Sequence, residues 1–439
     1  MNLPSYITVL LDRLAAHGFA GYPVGGCVRD FLLGKIPGDY DLTTSATPQE
    51  MLQVFKDYRC IETGLQHGTL TVVSESNNVE ITTFRTDGEY RDNRHPTEVT
   101  FTRDLADDLS RRDFTVNAMA YGQTEGIVDL FGGKEDLQNK IIRCVGDPDR
   151  RFNEDALRIM RALRFASTLG FEIEKNTADS IHRNAHLLAN ISVERIFVEL
   201  KKLLCGVGAE QILLQFNDVF CCILPELQPI TGLLQHNPHH LYDVYTHTAK
   251  TVSLCEADPV LRLAALFHDV GKADTFSQDE NGVGHFYNHR AYSVQKADVA
   301  LRRLKCDNAT RNTVLFLVDW HDRLFGEFTE KTVKRLLRTQ SSEELLLLCR
   351  LMRADSKATG TRLHEPCPSA DRLEEIVLRL QQENPCLSVT DLTVNGHDLL
   401  ALGYEPKEIG KALKALLEAV TDGKIENKKE DLLTELRKN

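Results

Sequence analysis

The chain has 439 residues, of which 42% are hydrophobic and 26% charged, a balance that indicates a folded protein too long for one compact core. Its formal charge of -12 argues against a protein that coats nucleic acid through overall positive charge, although a local basic groove stays compatible with it. Because Asp12 and Arg13 interrupt the first apolar stretch and no run of about 18 apolar residues follows, we expect neither a signal peptide nor a membrane span.

The cysteines indicate a reducing compartment. Eleven cysteines are scattered without a CxxC pair, and the nearest two are the adjacent Cys221 and Cys222. This spacing suggests neither a zinc knuckle nor a disulfide framework. We therefore expect free thiols in a cytoplasmic protein of two to four domains.

In chain order, the first 140 residues mix short β-rich segments with turns. Two strands are predicted at Thr69 to Val73 and Val79 to Phe84, joined by a polar turn that contains Asn77 and Asn78. From Glu154 onward apolar residues recur three and four apart, which is the helical period. These changes of pattern predict four segments: 1–140, 141–232, 233–360 and 361–439.

In residues 25 to 44, GGCVRDFLLGKIPGDYDLTT, small residues such as glycine and polar residues interrupt the apolar pattern. If Asp39 and Asp41 lie in a strand, they share a face with Cα atoms roughly 6.5 to 7 Å apart, and they repel unless a cation lies between them. Magnesium takes oxygen ligands and leaves positions for phosphates, so the pair suits one or two ions that carry a nucleoside triphosphate. Glu80, on a neighbouring predicted strand, is a candidate third carboxylate. A surface turn is the alternative, because this spacing alone is a weak motif.

The glycines at the start of this segment suit a phosphate. Gly25 and Gly26 allow the backbone to approach it closely, a following helix aims its N-terminal amides at it, and Arg29 neutralises it. Two later segments strengthen this interpretation, RRDFTVNAMAY at 111–121 and EDALRIMRALRF at 154–165.

Together, GGCVRD, GDYDLTT, RRDFTVNAMAY and EDALRIMRALRFA resemble the head and neck of bacterial class II tRNA nucleotidyltransferases, the CCA-adding enzymes and their poly(A) polymerase relatives. The resemblance implies an α+β fold, in which a nucleotidyltransferase-fold head with a mixed β-sheet precedes an all-α neck, an HD-type helical body and a helical tail. It assigns Mg2+ to Asp39 and Asp41, and it assigns the tRNA 3′ acceptor end to the helical segments. It assigns these residues to the nucleotide pocket: Gly25, Gly26, Arg29, Asp30, Arg111, Arg112, Asp113, Asn117, Glu154, Asp155, Arg158 and Arg161.

The implied reaction is template-independent addition of CCA to tRNA 3′ ends from CTP and ATP, with release of pyrophosphate. The long segment between the first two motifs carries Arg91, Arg94 and His95, which resembles the full loop of the family and speaks against an enzyme that adds C alone. Addition of A alone and poly(A) polymerase activity stay as alternatives. So does a non-catalytic RNA- or nucleotide-binding protein, although intact Asp39 and Asp41 argue against it.

The resemblance assigns base choice to the EDxxR motif, Glu154, Asp155 and Arg158. Three residues apart on one helical face, Asp155 and Arg158 would present an acceptor beside a donor. Cytosine and adenine each offer an amino donor beside a ring-nitrogen acceptor, whereas uracil and guanine reverse this polarity, so such an edge selects C and A. The alternative is an ion pair within the helix. Between Arg143 and Arg164, six arginines stand against four acids, which makes this segment the best candidate for a basic groove.

The second half of the chain is rich in histidine. The doublet His268 and Asp269, followed by Gly271 and Lys272, resembles an HD phosphohydrolase domain. The resemblance implies a metal held by His247, His268, Asp269 and Asp355, with His289 and His321 as candidate ligands of a second ion. Imidazole and carboxylate suit a divalent transition ion such as Mn, Ni, Fe or Co. Because an isolated histidine is usually an ordinary core or surface residue, two roles stay open: hydrolysis of phosphoester or cyclic phosphate ends, or a structural body that serves tRNA binding.

Overall fold

The chain divides into two compact units, unit 1 at Met1–Gln228 and unit 2 at Pro229–Asn439. The computed structural model describes residues 1–88, 99–323, 325–361, 365–383 and 385–437, and of Asp87 and Phe325 the backbone alone. Arg91, Arg94 and His95 of the predicted loop lie outside the described residues. None of the described helices combines the length and the apolar character that a membrane crossing requires.

A mixed sheet of seven strands forms the centre of unit 1. The strands of the unit are β1 (Gly21–Val24), β2 (Asp41–Thr44), β3 (Arg59–Ile61), β4 (Thr69–Ser74), β5 (Asn77–Thr83), β6 (Arg85–Asp87), β7 (Val99–Phe101), β8 (Met119–Gly122), β9 (Gly126–Asp129), β10 (Ile141–Ile142) and β11 (Glu172–Ile173). Their order in the sheet is β3-β4-β5-β2-β1-β8-β9. β2 runs parallel to β5, and the other neighbours are antiparallel.

Helices surround this sheet and make up the rest of unit 1. They are α1 (Ser5–Ala16), α2 (Gly26–Leu32), α3 (Pro48–Val54), α4 (Leu105–Ser110), α5 (Gly133–Asn139), α6 (Pro148–Glu154), α7 (Leu157–Leu169), α8 (Lys175–Asn184), α9 (Val193–Leu204), α10 (Ala209–Gln215) and α11 (Asn217–Ile223). Local sequence sets their ends. Thr47 and Glu50 form a capping box at α3, and Asp147 caps α6 just before Pro148, whose fixed φ suits the first helical position.

The hairpin between β4 and β5 corrects one prediction. Its turn is Glu75 and Ser76, with φ of 47° and 68°, and Ser74 lies opposite Asn77. Asn77 and Asn78 therefore belong to β5, and their prediction as turn residues is wrong. Positive φ at both central positions gives the turn a twist that matches the flanking strands, and this turn falls two residues earlier than the asparagines suggested.

Helix α1 covers one face of the sheet and makes it rigid. Its residues Ile7, Leu10 and Leu14 are fully buried in one cluster with Val72 and Ile81 of the strands. Burial of each such side chain contributes about 1.5 to 3 kcal/mol. The strands that carry the predicted carboxylates thus rest on a packed core.

Unit 2 is almost wholly helical. Its helices are α12 (Val244–Leu254), α13 (Pro259–Phe267), α14 (Lys272–Thr275), α15 (His289–Arg303), α16 (Asn308–Trp320), α17 (Glu330–Leu337), α18 (Ser342–Ala358), α19 (Pro368–Glu383), α20 (Gly396–Ala401), α21 (Pro406–Thr421) and α22 (Lys429–Leu436). Its strands β12 (Phe276–Gln278) and β13 (Gly284–Phe286) form one antiparallel pair. Side chains of Asp243, Asp258 and Asp307 cap the helices α12, α13 and α16.

The predicted α+β class, a mixed-sheet head followed by helices, is confirmed. The finer division into four segments stays a prediction, because the chain separates into two units whose boundary follows Gln228.

Candidate functional site

The two predicted aspartates lie where β2 begins. Asp41 is the first residue of β2 and lies opposite Val24, the last residue of β1. Asp39 precedes the strand, so the prediction that both aspartates lie within one strand is wrong. The reason is that β1 ends at Val24, where Gly25 turns the chain, and no partner extends the pairing to Asp39.

A third carboxylate lies beside this pair. The parallel register of β2 and β5 places Glu80 level with Asp41. The Asp41 side chain reaches solvent, but its pKa is raised to about 6. Desolvation is the largest cause of this rise, repulsion from Asp39 and Glu80 adds to it, and Arg112 opposes it. Negative charge gathers here with little compensation, which favours a cation.

The turn after β1 brings backbone close to an arginine. Gly25 has φ +77°, and a Cβ there would lie 3.3 Å from Arg112 Nη1. The Gly25 N–H donates to the Met119 carbonyl at 3.1 Å, which fixes the turn on β8. Gly26 then begins α2, with Arg29 Nη2 3.7 Å from the position of its missing Cβ. The predicted glycines therefore lie against the predicted arginines.

One chain of hydrogen bonds joins α2 to α7 through five predicted residues. Arg29 donates to Asp30 Oδ1 at 2.9 and 2.8 Å and to Asn117 Oδ1 at 2.7 Å. Asn117 Nδ2 donates to Asp113 Oδ1 at 3.3 Å, and Arg161 donates to Asp113 Oδ2 at 2.8 and 2.6 Å. Burial would raise the pKa of Asp113, but Arg161 outweighs it and holds that pKa below its usual range. The side chains of this hydrogen-bonded series are thus charged and fixed in position.

Sequence reasoning missed Asp108, which binds both neighbouring arginines of the pocket. Its side chain is fully buried in α4 and accepts hydrogen bonds from Arg111 and Arg112. The signal was present in DLSRR, where an acid stands three and four positions before two arginines, the spacing of neighbours on a helix.

The EDxxR residues do not lie on one helical face, contrary to the prediction. Helix α6 ends at Glu154, Asp155 has extended backbone with φ -139°, and α7 begins at Leu157. Asp155 Oδ1 accepts from the Leu157 N–H at 3.1 Å, and Asp155 Oδ2 lies 3.4 Å from Arg195 Nη2. Arg158 Nη1 donates to Glu154 Oε2 at 2.7 Å. The helical period of the sequence hid a break, because Asp155 caps the second helix rather than continuing the first.

The six arginines of the basic segment all have acidic partners. The pairs are Arg143–Asp136, Arg150–Glu154, Arg151–Glu154, Arg158–Glu154, Arg161–Asp113 and Arg164–Glu199, with distances from 2.6 to 3.1 Å. Three of these acids come from outside the segment, so a count of charges along the sequence overstated its net positive charge.

Unit 2 brings together the six histidines and aspartates predicted to bind metal. Among the described residues, the groups whose donor atoms all lie within 4.8 Å of one another are His247, His268 and Asp355, and Asp269, His289 and His321. The two groups adjoin, because His268 Nε2 lies 3.1 Å from Asp269 Oδ2. We refer to these six residues as the histidine cluster.

Three imidazoles of the cluster are oriented in the same way. The Nδ1 atoms of His268, His289 and His321 lie 2.7, 2.9 and 2.7 Å from the backbone carbonyl oxygen three residues earlier. A carbonyl only accepts, so each Nδ1 carries a proton and Nε2 faces the cluster. Metal-binding histidines are commonly held by this kind of contact.

Asp269 lies at the centre of the cluster and is buried. Its Oδ2 lies 2.8 Å from Lys272 Nζ, and its Oδ1 lies 3.4 Å from His289 Nε2. Yet neither oxygen accepts a hydrogen bond of good geometry from any described group. Nitrogen atoms that approach an oxygen without aiming a hydrogen at it suit ligands that converge on an ion.

The protonation states of the cluster follow from burial and charge. Burial opposes charge on His268 and Asp269, but the two attract each other, which raises the pKa of His268 to about 10 and holds that of Asp269 well below its usual range. Burial lowers the pKa of His289 and of His321 to about 4. Both are therefore neutral at pH 7, the form that binds metals.

A cavity of about 520 Å³ opens beside the cluster. Its lining adds the cationic side chains of Lys272, Arg290 and Arg323 and the exposed ring of Tyr287. Sequence reasoning missed Arg290 and Arg323 as site residues, although each lies within two positions of a predicted ligand. Cations beside such a cluster suit an anionic ligand.

In unit 1, a mixed sheet carries carboxylates on adjacent strands beside a hydrogen-bonded set of arginines, which defines a polymerase-type nucleotidyltransferase head. Residues 21–143 match the family model of the poly A polymerase head domain. Residues 170–230 match the model described as "Probable RNA and SrmB- binding site of polymerase A", and residues 276–436 match tRNA nucleotidyltransferase domain 2.

Individual relatives narrow the class. The chain is 36% identical over 424 residues to the CCA-adding enzyme of Geobacillus stearothermophilus, a match that covers 96% of this chain and 93% of that protein. It is 50% identical over 204 residues to the CCA-adding enzyme of Geobacillus thermodenitrificans, spanning 46% of this chain and 50% of that relative. The crystal structure of the Bacillus stearothermophilus CCA-adding enzyme in complex with CTP has a TM-score of 0.74 at 31% identity, covering 100% of this chain and 98% of that one. The chain belongs to the class II family of CCA-adding enzymes.

Proposed function

We propose that the protein completes the 3′ end of tRNA by adding C, C and A from CTP and ATP, without a nucleic-acid template. The observation that carries this proposal is similarity to a CCA-adding enzyme along nearly the whole of both chains. Addition of A alone, poly(A) synthesis and non-catalytic RNA binding are less favoured, because the relatives named above are CCA-adding enzymes.

Asp39 and Asp41 would hold the divalent ions of the reaction, with Glu80 close by, and we infer that these ions are Mg2+. The donor set fits, because Mg2+ prefers carboxylate oxygens, and desolvation together with repulsion from Asp39 and Glu80 raises the pKa of Asp41. When bound, Mg2+ neutralises the triphosphate and lowers the pKa of the attacking hydroxyl.

The arginines of the head bind the triphosphate. Each guanidinium carries five N–H donors, so Arg29, Arg111 and Arg112 can contact phosphate oxygens while they keep their carboxylate partners. The turn at Gly25 adds backbone without a side chain beside Arg112. These contacts fix the α-phosphate for in-line attack by the tRNA 3′-hydroxyl, which forms a new P–O bond as pyrophosphate leaves.

The neighbouring residues select the base and hold the ribose. Asp155 accepts from the amino group of C or A, and Arg158 donates to the ring nitrogen, whereas U and G place a carbonyl before Asp155 and an N–H before Arg158. Because Asp155 lies between two helices, its side chain stays 21% exposed. Asp113, held by Asn117 and Arg161, contacts the ribose.

We place this reaction in the cytoplasm, where tRNA and nucleoside triphosphates meet. The cysteines, all of them free in the described structure, agree with a reducing compartment.

The test uses three tRNAs that end before CCA, after C and after CC, each incubated with single labelled nucleotides and with CTP and ATP together. We expect the first tRNA to gain two C and then, with ATP, one A, and the third to gain one A and no more. Products are sized on a sequencing gel. Extension of the third tRNA alone indicates an A-adding enzyme, long runs of A indicate a poly(A) polymerase, and both contradict the proposal.

For unit 2 we propose an HD-type phosphohydrolase site that holds a divalent transition metal. His247, His268, Asp269 and Asp355 would bind the first ion, and His289 and His321 a second. The support is the convergence of Nε2 atoms and unbonded carboxylate oxygens beside a cavity with cationic walls. When bound, such a metal activates water and polarises a phosphoester. Lys272, Arg290 and Arg323 would hold the phosphate.

This second proposal is tested by metal analysis and by hydrolysis of p-nitrophenyl phosphate and of a 2′,3′-cyclic nucleotide. We expect bound Mn, Ni, Fe or Co in the wild type, and loss of metal and of hydrolysis in His268→Ala. The control is His182→Ala, since His182 also contacts a carboxylate, Asp218 at 2.9 Å, but lies in unit 1. Wild type without metal, and hydrolysis unchanged in His268→Ala, would leave unit 2 as a structural body.

A further inference from the structure

We infer that Asp108 is a positioning residue for nucleotidyl transfer, which fixes Arg111 and Arg112 against the strand that carries Asp41. The inference rests on the proposed function of the head, because the two arginines need fixed positions only if they bind the triphosphate. Asp108 itself is fully buried, so we infer that it acts through the two arginines.

Both oxygens of Asp108 are used. Oδ1 accepts from Arg111 Nε at 3.0 Å and from Arg111 Nη2 at 2.6 Å, a two-pronged contact that fixes the plane of the guanidinium. Oδ2 accepts from Arg112 Nη2 at 3.1 Å. One carboxylate thus sets the spacing between two adjacent guanidinium groups.

A third contact ties this carboxylate to the sheet. Thr43 Oγ1 lies 3.1 Å from Asp108 Oδ2 and 3.1 Å from the Thr82 carbonyl oxygen, and its single proton serves one of them at a time. Thr43 follows Asp41 by two residues in β2, so the two side chains share a face of the strand. Asp108 therefore couples the arginines to the strand that begins with Asp41.

Charge explains why this residue must be an ionised acid. Burial alone would raise the pKa of Asp108, but Arg111 and Arg112 outweigh burial and hold it below its usual range. Without the carboxylate, two neighbouring guanidinium groups repel, and each is free to turn away.

The head contains a matched control. Asp136 is also a buried aspartate, and it accepts from Thr115 Oγ1 at 2.6 Å and from Arg143 Nε at 3.1 Å. Its partners are the same residue types, but neither belongs to the predicted nucleotide pocket. Loss of charge at Asp136 reports what a buried Asp–Arg–Thr contact contributes to folding alone.

The experiment measures steady-state kinetics for CTP on a tRNA that awaits its first C, with the full chain as wild type, Asp108→Asn, Asp136→Asn and Thr43→Val. We expect Asp108→Asn to raise KM for CTP about 10- to 100-fold, because asparagine leaves a charged partner unpaired, while the Kd for tRNA stays within about twofold. Asp136→Asn should lower Tm without this change in KM. Thr43→Val should raise KM about threefold.

Three outcomes decide the matter. Equal KM for CTP in Asp108→Asn and Asp136→Asn, with similar loss of Tm, would reduce Asp108 to a folding role and overturn the inference. If Asp108→Asn does not fold, an unchanged KM in Thr43→Val overturns it instead. Wild type that adds no nucleotide to any tRNA contradicts the proposed function, which is a separate failure.

Discussion

Buried carboxylates in the head and in the histidine cluster differ in the hydrogen bonds that they accept. In the head, Asp113 accepts hydrogen bonds from the Phe114 N–H at 2.8 Å, from Asn117 and from Arg161. In unit 2, Asp269 is as deeply buried, yet neither of its oxygens accepts a hydrogen bond of good geometry from the described residues. The first carboxylate is held by hydrogen bonds, whereas the second is met by the cationic Lys272 Nζ at 2.8 Å and by His268 Nε2 at 3.1 Å.

This difference distinguishes a carboxylate that holds a neighbouring side chain in position from one that can bind a metal ion. A carboxylate with every lone pair used can hold an arginine in place, but it has little to offer an ion. A buried carboxylate without hydrogen bonds carries a cost of several kcal/mol unless a ligand satisfies it. Among the described residues of the predicted site, Asp39, Asp41 and Glu80 lie outside the hydrogen-bond chain that joins Arg29, Asn117, Asp113 and Arg161.

The largest effect is expected where the head carboxylates are removed. Asp39→Ala or Asp41→Ala should lower the addition of every nucleotide roughly a thousandfold or more, because the transition state concentrates negative charge that the bound ions neutralise. Single-turnover rates with CTP and ATP, alongside tRNA binding, measure this loss. Substantial turnover in both variants would place the reacting centre elsewhere.

The next largest effect is expected on metal binding, if Asp269 is a metal ligand. Asp269→Asn should weaken binding of Mn2+ or Ni2+ by about 100-fold or more, because it removes the charge that both groups of the cluster share. Calorimetric titration of the metal-free full chain supplies the affinity. Asp136→Asn is the control, since that buried carboxylate is already satisfied, and equal affinities in the two variants would show that Asp269 is not a ligand.

Base choice is expected to change by a smaller factor. Asp155→Ala should reduce discrimination of C over U and of A over G by roughly ten- to a hundredfold, because an unpaired partner costs about 1 to 3 kcal/mol. The measure is kcat/KM for all four nucleotides. Arg164→Ala is the control, because Arg164 lies on α7 with Arg158 but outside the EDxxR motif, where it pairs with Glu199 at 2.7 Å. Unchanged selectivity in both Asp155→Ala and Arg158→Ala would contradict the template role.

The smallest effect belongs to a satisfied pair at the surface. Arg103 and the capping contacts of Thr47 lower the pKa of Glu50 to about 2, so the stabilisation is complete above the unfolded value of about 4.5 and is lost as the pH falls from there towards 2. Because both partners reach solvent, we expect Glu50→Gln to cost only about 0.5 to 1 kcal/mol at pH 7. Urea unfolding between pH 7 and pH 3 measures the difference. A penalty that does not shrink towards pH 3 would mean that the carboxylate charge is not its cause.

Features that depend on composition and on local sequence pattern could be predicted from the sequence. The α+β class and the hairpin strands were predictable, because a period of two and a period near four are local signals, whereas the six members of the histidine cluster were named through a resemblance to HD phosphohydrolases. The strand position of Asp39 was not predictable, because it depends on where the partner β1 ends. The break between α6 and α7 at Asp155 was not predictable for a similar reason. The Asp155 side chain accepts a hydrogen bond from the Leu157 N–H, and the spacing of apolar residues continues across the break without a change.

Long-range pairing accounts for the rest of what was missed. Arg161 meets Asp113 and Arg164 meets Glu199 across 48 and 35 residues, and no spacing rule links positions so far apart. In the predicted basic segment, acids from other elements pair with Arg143, Arg161 and Arg164, whereas Arg150, Arg151 and Arg158 share Glu154. Asp108 was recognisable in principle from its spacing to Arg111, but its contact with Thr43 required the fold.

The central claim is that the head carboxylates and the histidine cluster are chemically separate sites, and one crossed measurement tests it directly. Asp41→Ala and His268→Ala of the full chain are each assayed for CCA addition in Mg2+ and for bound transition metal. We expect Asp41→Ala to lose CCA addition and keep the metal, and His268→Ala to lose the metal and keep CCA addition. Loss of CCA addition in a folded His268→Ala variant that still binds tRNA would contradict it.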